Sequence, residues 1–209
     1  MYKRQHPLRG EESDRDQHFC EKLCEKLGVE LKVFHADVVG YCKEHSVSTE
    51  EGARKLRYDF FDSMGADKIC TAHSLSDCLE TTIFNLARGT GLKGICGIPP
   101  VRGNIIRPLI NCTRQEIEGF LKERGQDFVT DSTNLPDDYT RNKIRHLVVP
   151  RLAELNSSLF GSYSMTADRL RIDSDYLESQ GLEAFEKAVL LKGYDALCLR
   201  QLHASVRRR

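Results

Sequence analysis

The chain predicts an α/β fold, with a parallel sheet carrying helices on its faces and a helical region after it. Three observations support this reading. Short apolar runs between polar flanks, Leu31 to Phe34 and Asp67 to Ala72, alternate with longer segments of helical spacing. Strands that alternate with helices pair in parallel, because each helix carries the chain back across the sheet. Beyond Pro150 the strands mostly cease, and the chain becomes helical and more charged.

Taken in order, Glu11 to Gly28 has an acidic start, apolar Phe19, Leu23 and Leu27, and a terminal glycine, the pattern of a helix. Leu31 to Phe34 follows as a strand and Val38 to His45 as a second helix. Ser48, Thr49, Glu50 and Glu51 give a third helix its cap and early acids before Ala53, Leu56, Phe60 and Phe61. Asp67 to Ala72 then reads as a buried strand. In the next helix, Asp77 to Arg88, the residues Leu79, Ile83, Leu86 and Ala87 at i, i+4, i+7 and i+8 form an apolar face, opposite Asp77, Glu80 and Arg88. Gly89, Gly91, Gly94 and Gly97 punctuate a loop into Pro99 and Pro100, ahead of the apolar pairs Ile105-Ile106 and Pro108-Leu109. Thr113 to Glu116 has the spacing of a capping box and opens a scaffold helix through Ile117, Phe120 and Leu121 to Gly125. A polar, turn-rich stretch, Asp131 to Tyr139, leads into Thr140 to Arg145, and Leu152 to about Leu191 is expected to be all helical.

The 209 residues suit one large domain, or one domain with a smaller companion. There is no long uninterrupted apolar stretch, and the N-terminal MYKRQHPLRG lacks the apolar core of a secretory signal, so neither a membrane span nor secretion is expected. Eight cysteines without C-x-x-C spacing read as reduced, cytosolic residues rather than a disulfide framework. Cys20 and Cys24 share a helix face, which suits two small core residues better than a metal. Basic and acidic residues balance at 31 each, so nucleic-acid binding would need local clusters. Arg141, Lys143, Arg145 and Arg151 form one such cluster and Arg207 to Arg209 another, although short basic runs also serve as solvated surface.

The segment from Thr71 to Gly91 carries the chemistry. His73 stands where a strand is expected to end, and open α/β sheets bind ligands there because loops and helix N-termini converge with unpaired backbone donors. The segment therefore points to a phosphorylated ligand. Asp77 and Glu80 are neighbours on one helix and could share a metal, a cationic substrate or a proton. The same spacing also serves a structural end, since acids in a first turn meet the helix dipole. Glycines such as Gly89 and Gly91 let backbone amides approach a ligand closely, or simply make turns. Arg141 and Arg145, four apart, can hold successive phosphates, or a phosphate and a base, through their rigid forks of donors.

Together these segments resemble the tRNA(Ile)-lysidine synthetase family of PP-loop ATP pyrophosphatases. His6 to Asp14 is similar to that family's N-H-x-L-R-G-x-E-S-D stretch, and Arg54 to Tyr58 to its A-R-x-x-R-Y helix. Ala72 to Thr81 resembles A-H-H-x-D-D-x-x-E-T, with Ser74 and Ser76 standing where the family has its second histidine and first aspartate. Arg88 to Leu92 resembles R-G-[ST]-G-L, and Asp131 to Arg145 resembles D-x-[ST]-N-x-x-x-x-x-x-R-N-x-I-R, the block most specific to lysidine synthetases. The similarity spans roughly residues 6 to 160. The family's S-G-G-x-D-S loop has no counterpart in these residues, so the chain is expected to be an internal fragment, inactive by itself.

The resemblance implies an adenine nucleotide alpha hydrolase-like domain over 1–150 and the start of a tRNA-binding helical domain over 151–209. It implies a ligase that uses ATP and Mg²⁺ to adenylate the wobble cytidine of an isoleucine tRNA and then attaches free lysine. Asp77, Glu80 and His73 become the catalytic residues, with Asp77 on Mg²⁺ or the cytidine and Glu80 on the lysine ammonium or the base amino group. Arg57, Arg88, Gly89 and Gly91 fall to the nucleotide, and Arg141, Asn142 and Arg145 to the tRNA. A cytoplasmic location is implied, and a homodimer is among the assemblies left open. A tRNA cytidine thiolase is a rival within the same group, although such enzymes carry paired C-x-x-C cysteines, and a non-catalytic tRNA-binding protein is a rival from another class.

Overall fold

The computed structural model describes residues 2–5, 10–129, 140–190 and 193–207. Contacts divide the chain into two compact units, Met1–Ile69 with Asp127–Thr130, and Cys70–Gln126 with Asp131–Arg209. This partition differs from the expected division at residue 150.

The first unit is a β-α-β element with two further helices. Strand β1 (Tyr2–Gln5) pairs in parallel with β2 (Lys32–His35), and helix α1 (Gly10–Leu27) connects them. Helices α2 (Val38–His45) and α3 (Thr49–Ser63) follow. Ser48 caps α3 as its sequence predicts, its hydroxyl accepting from the Glu51 N–H while the Glu51 carboxylate accepts from Ser48. Gly52 lets α2 and α3 close up, since a Cβ there would stand 2.5 Å from Cys42 Sγ. Cys24, Val38, Ala53 and Phe61 form the buried core of this unit, and Phe34 stacks on Phe60.

The second unit begins where strand β3 (Ile69–Cys70) hands the chain to helix α4 (Leu75–Arg88). Short helix α5 (Leu92–Ile95) and the strands β4 (Val101–Arg102) and β5 (Ile105–Ile106) follow, and the sheet order is β3-β5-β4. The β4 and β5 strands are antiparallel, Val101 opposite Ile106, so the strand pairing is mixed rather than parallel throughout, with β1 and β2 paired in parallel. Helix α6 (Arg114–Glu123) carries the expected capping box at Thr113. After it come α7 (Thr140–Lys143), a π-helical turn over Ile144–Val148, α8 (Val149–Leu155) and the long α9 (Leu159–Ala188). The helix expected through Leu191 gives way to a hairpin, β6 (Val189–Leu190) against β7 (Gly193–Tyr194), before α10 (Ala196–Gln201) and α11 (Ala204–Arg207). Gly193, at φ 126 in β7, holds a backbone conformation that favours glycine. Among the described residues, no helix is long and apolar enough to cross a membrane.

Candidate active site

The start of α4 is built by Ser74. Its hydroxyl accepts from the Asp77 N–H at 3.3 Å, and Asp77 Oδ2 accepts from the Ser74 N–H at 2.9 Å and from its hydroxyl at 2.8 Å. This reciprocal cap satisfies two donors at the head of the helix and fixes the Asp77 carboxylate. The serine that departs from the family's second histidine therefore serves as the N-cap. Ser76, the other departure, accepts the Arg114 N–H at 3.2 Å and ties α4 to the start of α6. His73 lies just before this cap, its Nδ1 2.9 Å from Thr71 Oγ1, which orients the ring.

One turn further on, Glu80 is only 2% exposed. Its two oxygens accept a bidentate pair from Arg145, Nε to Oε1 at 2.7 Å and a terminal nitrogen to Oε2 at 2.9 Å. The same guanidinium stands 3.6 Å from Asp77 Oδ1, so a single arginine bridges both acids of the D-x-x-E pair. The hydrogen bonds to Glu80, with the Glu80 and Asp77 charges, raise the Arg145 pKa against the desolvation that opposes it and keep the side chain cationic. Arg141 donates to Thr81 Oγ1 at 2.9 Å, so the second arginine of the expected pair reaches the same stretch of α4.

Arg145 occupies the second position of the π-helical turn, where the Val149 N–H reaches back five residues to the Ile144 carbonyl. Pro150, in the first turn of α8, has no N–H to give to a carbonyl one turn back, and its ring crowds that position. A widened turn relieves both problems, and such turns recur at functional sites.

The structure corrects two expectations about α4. Glu80 does not lie on a solvated polar face; it is buried beneath Arg145. Leu86 and Ala87, assigned to the apolar face, are exposed, and the buried positions are Leu75, Cys78, Leu79, Glu80 and Thr82. His73 and Asp77 lie at the strand-to-helix junction, and Arg88 does not. Arg88 ends the 14-residue helix that Asp77 begins, so about 16 Å of helix axis separates them. Arg88 lies over the Phe84 ring, and Gly89 and Gly91 beyond it are exposed, with open space where a Cβ would stand. Asn142 is buried in α7. Arg57 belongs to the first unit, where its Nε is buried with no partner among the described residues. The expected blocks at His6 to Arg9 and Asp131 to Tyr139, and the last two arginines of the C-terminal cluster, lie outside the described residues.

Among the described residues no group of three or more histidines, cysteines or acids could hold a metal. A magnesium ion that arrives with nucleotide phosphates needs only one or two protein carboxylates. Asp77 Oδ1 fits that limited demand, since Oδ2 is committed to Ser74 and both Glu80 oxygens to Arg145.

Comparison with known proteins adds the family to this geometry. The family model described as the PP-loop domain matches residues 2–152. The chain belongs to the PP-loop family. Curated PP-loop relatives named tRNA(Ile)-lysidine synthase include one from Bacteroides thetaiotaomicron, 47% identical over 167 residues covering 78% of this chain and 39% of that protein. Another, from Caldanaerobacter subterraneus, is 38% identical over 213 residues covering 98% of this chain and 46% of that protein. The chain thus spans less than half the length of these relatives. Among solved structures, the U34-tRNA thiolase NcsA from Methanococcus maripaludis, with its 4Fe-4S cluster, matches with a TM-score of 0.62 at 14% identity, covering 81% of this chain and 61% of that one. At that identity the likeness shows the shared PP-loop fold.

The sequence reading did not single out Thr81, Cys78, Tyr163 or Arg171 for the site. Thr81 closes the A-H-H-x-D-D-x-x-E-T match, which was a usable signal. The others meet only through long-range packing.

Proposed function

We propose that the protein joins lysine to the wobble cytidine of an isoleucine tRNA, using ATP, through an adenylated cytidine. The observation that carries this reading is the meeting of Glu80 and Arg145: the acid block shared across PP-loop enzymes and the R-N-x-I-R block typical of lysidine synthetases converge on one ion pair. The names of the curated relatives support it. Cytosine's carbonyl oxygen attacks the α-phosphorus of ATP and releases pyrophosphate; the lysine amine then attacks the same ring carbon, AMP departs and the amine loses its proton. Such a phosphoryl transfer depends on placing the groups and neutralising the phosphates. Bound Mg²⁺ supplies charge neutralisation on the phosphates, and Asp77 Oδ1 would hold it.

The resemblance assigns Glu80 to the lysine ammonium or the cytosine amino group, a contact it can make only once Arg145 yields one of its oxygens; an acceptor on that amino group separates cytosine from uracil. Arg145 holds both acids in place beforehand, and with Arg141 it is assigned to the anticodon loop; the buried Asn142 belongs to that block by the resemblance. His73 lies beside the helix start where the nucleotide phosphates would approach. Arg88, Gly89 and Gly91, exposed at the end of α4, are assigned to the nucleotide, and Arg57 of the other unit is assigned to it by the resemblance alone. The chain acts in the cytoplasm, a reading supported by eight cysteines without C-x-x-C spacing.

The test incubates the protein, as its gene encodes it, with an isoleucine tRNA transcript bearing a wobble cytidine, ATP and lysine, and weighs the nucleosides. An ATP-dependent gain of lysine less water at that cytidine supports the proposal. Unmodified tRNA, or sulfur incorporation when a sulfur donor is supplied, overturns it.

A further inference from the structure

Helix α4 is gripped on two faces about 120° apart around its axis, and only one grip belongs to the motifs. On the first face, Asp77, Glu80 and Thr81, related by i, i+3 and i+4, meet Arg145 and Arg141. On the other face, Cys78 and Thr82, related by i, i+4, meet α9. The Tyr163 hydroxyl donates to Cys78 Sγ at 3.2 Å and lies 2.7 Å from Thr82 Oγ1, whose own hydroxyl reaches the Ile95 carbonyl at 3.0 Å. Cys78 Sγ also accepts the Ile98 N–H at 3.2 Å and an Arg171 nitrogen at 3.4 Å. That Arg171 nitrogen further donates to the carbonyls of Cys96 and Ile98. The cluster is sealed: Cys78 is 0% exposed, and at Gly97, φ 70, a Cβ would stand 2.6 Å from Cys78 Sγ, 2.7 Å from the Tyr163 hydroxyl and 2.8 Å from Thr82 Oγ1.

We infer that Cys78, with Tyr163 and Arg171 of α9, is a positioning element for the acid pair: it fixes the roll of α4 about its axis and so holds Glu80 in register with Arg145. Cys78 lies between the two acids in sequence while its own bonds run to Ile98, Tyr163 and Arg171, so it acts on the acids through the helix. Tyr163 and Arg171 lie beyond residue 152, where the match to the PP-loop model ends. The acid pair therefore depends on residues outside the family segment. A helix held on one face alone can roll, and a roll of a few degrees misaligns a bidentate pair whose geometry is planar and directional. The kinetic part of this inference rests on the lysidine reading given above; the structural part does not.

The test compares Cys78→Ala, Cys78→Ser and Tyr163→Phe with the parent in the full-length protein. The first readout is the NMR resonance of the Arg145 Nε–H, which marks its bond to Glu80 whatever the protein's substrate. Cys78→Ala is expected to abolish its protection from solvent exchange. Cys78→Ser, which keeps an acceptor for the Ile98 N–H and Arg171, should retain it, and Tyr163→Phe should reduce it by several-fold. The second readout is steady-state kinetics: Cys78→Ala should raise KM for lysine at least fivefold while KM for ATP stays within twofold, and Cys78→Ser should restore the parent value. Equal protection of the Arg145 Nε–H in all four proteins would overturn the inference, as would identical behaviour of the alanine and serine variants. A parent that forms no lysidine yet shows the expected exchange pattern would remove the lysidine reading and leave the positioning role standing.

Discussion

The two ends of α4 both carry motif residues, but they are built differently. At the N-terminal end Asp77 is tied to Ser74 and Arg145, Glu80 is sealed under Arg145, and Thr81 receives Arg141. At the C-terminal end Arg88 lies across Phe84 at the surface, and Gly89 and Gly91 face open space. The contrast follows from solvation. A carboxylate taken out of water must be paired by the protein before any ligand arrives, because an uncompensated buried charge costs several kcal/mol, whereas water solvates an exposed guanidinium until a ligand replaces it. Substitutions at the closed end should therefore cost stability as well as activity, and those at the open end should touch ligand contacts alone.

The largest effect expected is that of Glu80→Ala, which strands the Arg145 guanidinium in a site where the two side chains are 3% and 20% exposed. Breaking one partner of a buried pair costs about 3–5 kcal/mol, read as a shift in the denaturant midpoint. Arg145→Ala should cost about as much, since it strands the more deeply buried Glu80 carboxylate, and the double variant should fall well short of the sum because the two residues act through one interaction. If Arg145→Ala leaves folding intact and weakens only tRNA binding, the arginine is a recognition residue with no role in closing this end of the helix. The expectation from sequence placed Arg145 toward the tRNA and away from the core; its bond to Glu80 gives it a structural task as well.

Asp77→Asn is expected to matter more to chemistry than to folding. The amide oxygen can still accept from the Ser74 N–H, so the cap survives in large part, while the negative charge beside Arg145 and the nucleotide disappears. A loss of at least about tenfold in adenylation, roughly 1.4 kcal/mol of barrier, should accompany a small change in melting temperature. Adenylate forming at the parent rate would reduce Asp77 to a capping acid.

Why the sequence disclosed so much of one part and so little of another can be traced to range. The capping boxes at Ser48 and Thr113 are local, since donor and acceptor lie within four residues, and both helices begin where those residues put them. The D-x-x-E pair was equally visible as a motif. Its burial was not, because the partner that makes burial tolerable is Arg145, which no helical period brings near Glu80. The same limit misassigned Leu86 and Ala87 to a buried face: periodicity gives the angle of a residue around a helix, not which stretch of that helix is covered. The hairpin at Val189 to Tyr194 was missed because its strands of two residues each are too short to leave an alternating pattern.

At the open end, Arg88→Ala should change stability by about 0.5–1 kcal/mol at most, the size of an exposed cation–π contact. Nucleotide affinity should fall several-fold, measured by titration with ATP at fixed salt. If affinity is unchanged, Arg88 contributes nothing to the nucleotide.

The smallest effect concerns the face of α4 turned toward α9, and it appears only in alkali. Burial, with the hydrogen bond to Cys78, pushes the Tyr163 phenol well above its ordinary value of 10.0, although the Thr82 bond and the Arg171 charge pull the other way. In the unfolded chain the same phenol ionises near 10.0, so above that pH the unfolded state has lost a proton that the folded state still holds. Stability tracks the difference in bound protons, unfolded minus folded, and that difference is negative here, so folding free energy should decline as the pH rises past about 10. Below that pH both states keep the proton and no dependence arises from this group. Tyr163→Phe should remove this share of the decline, flattening stability against pH between about 10 and 11 while costing a little at pH 7, where a buried hydrogen bond of about 1 kcal/mol is lost. A phenylalanine variant with the parent's alkaline slope would place Tyr163 in water and dissolve the distinction between a motif face and a packing face on this helix.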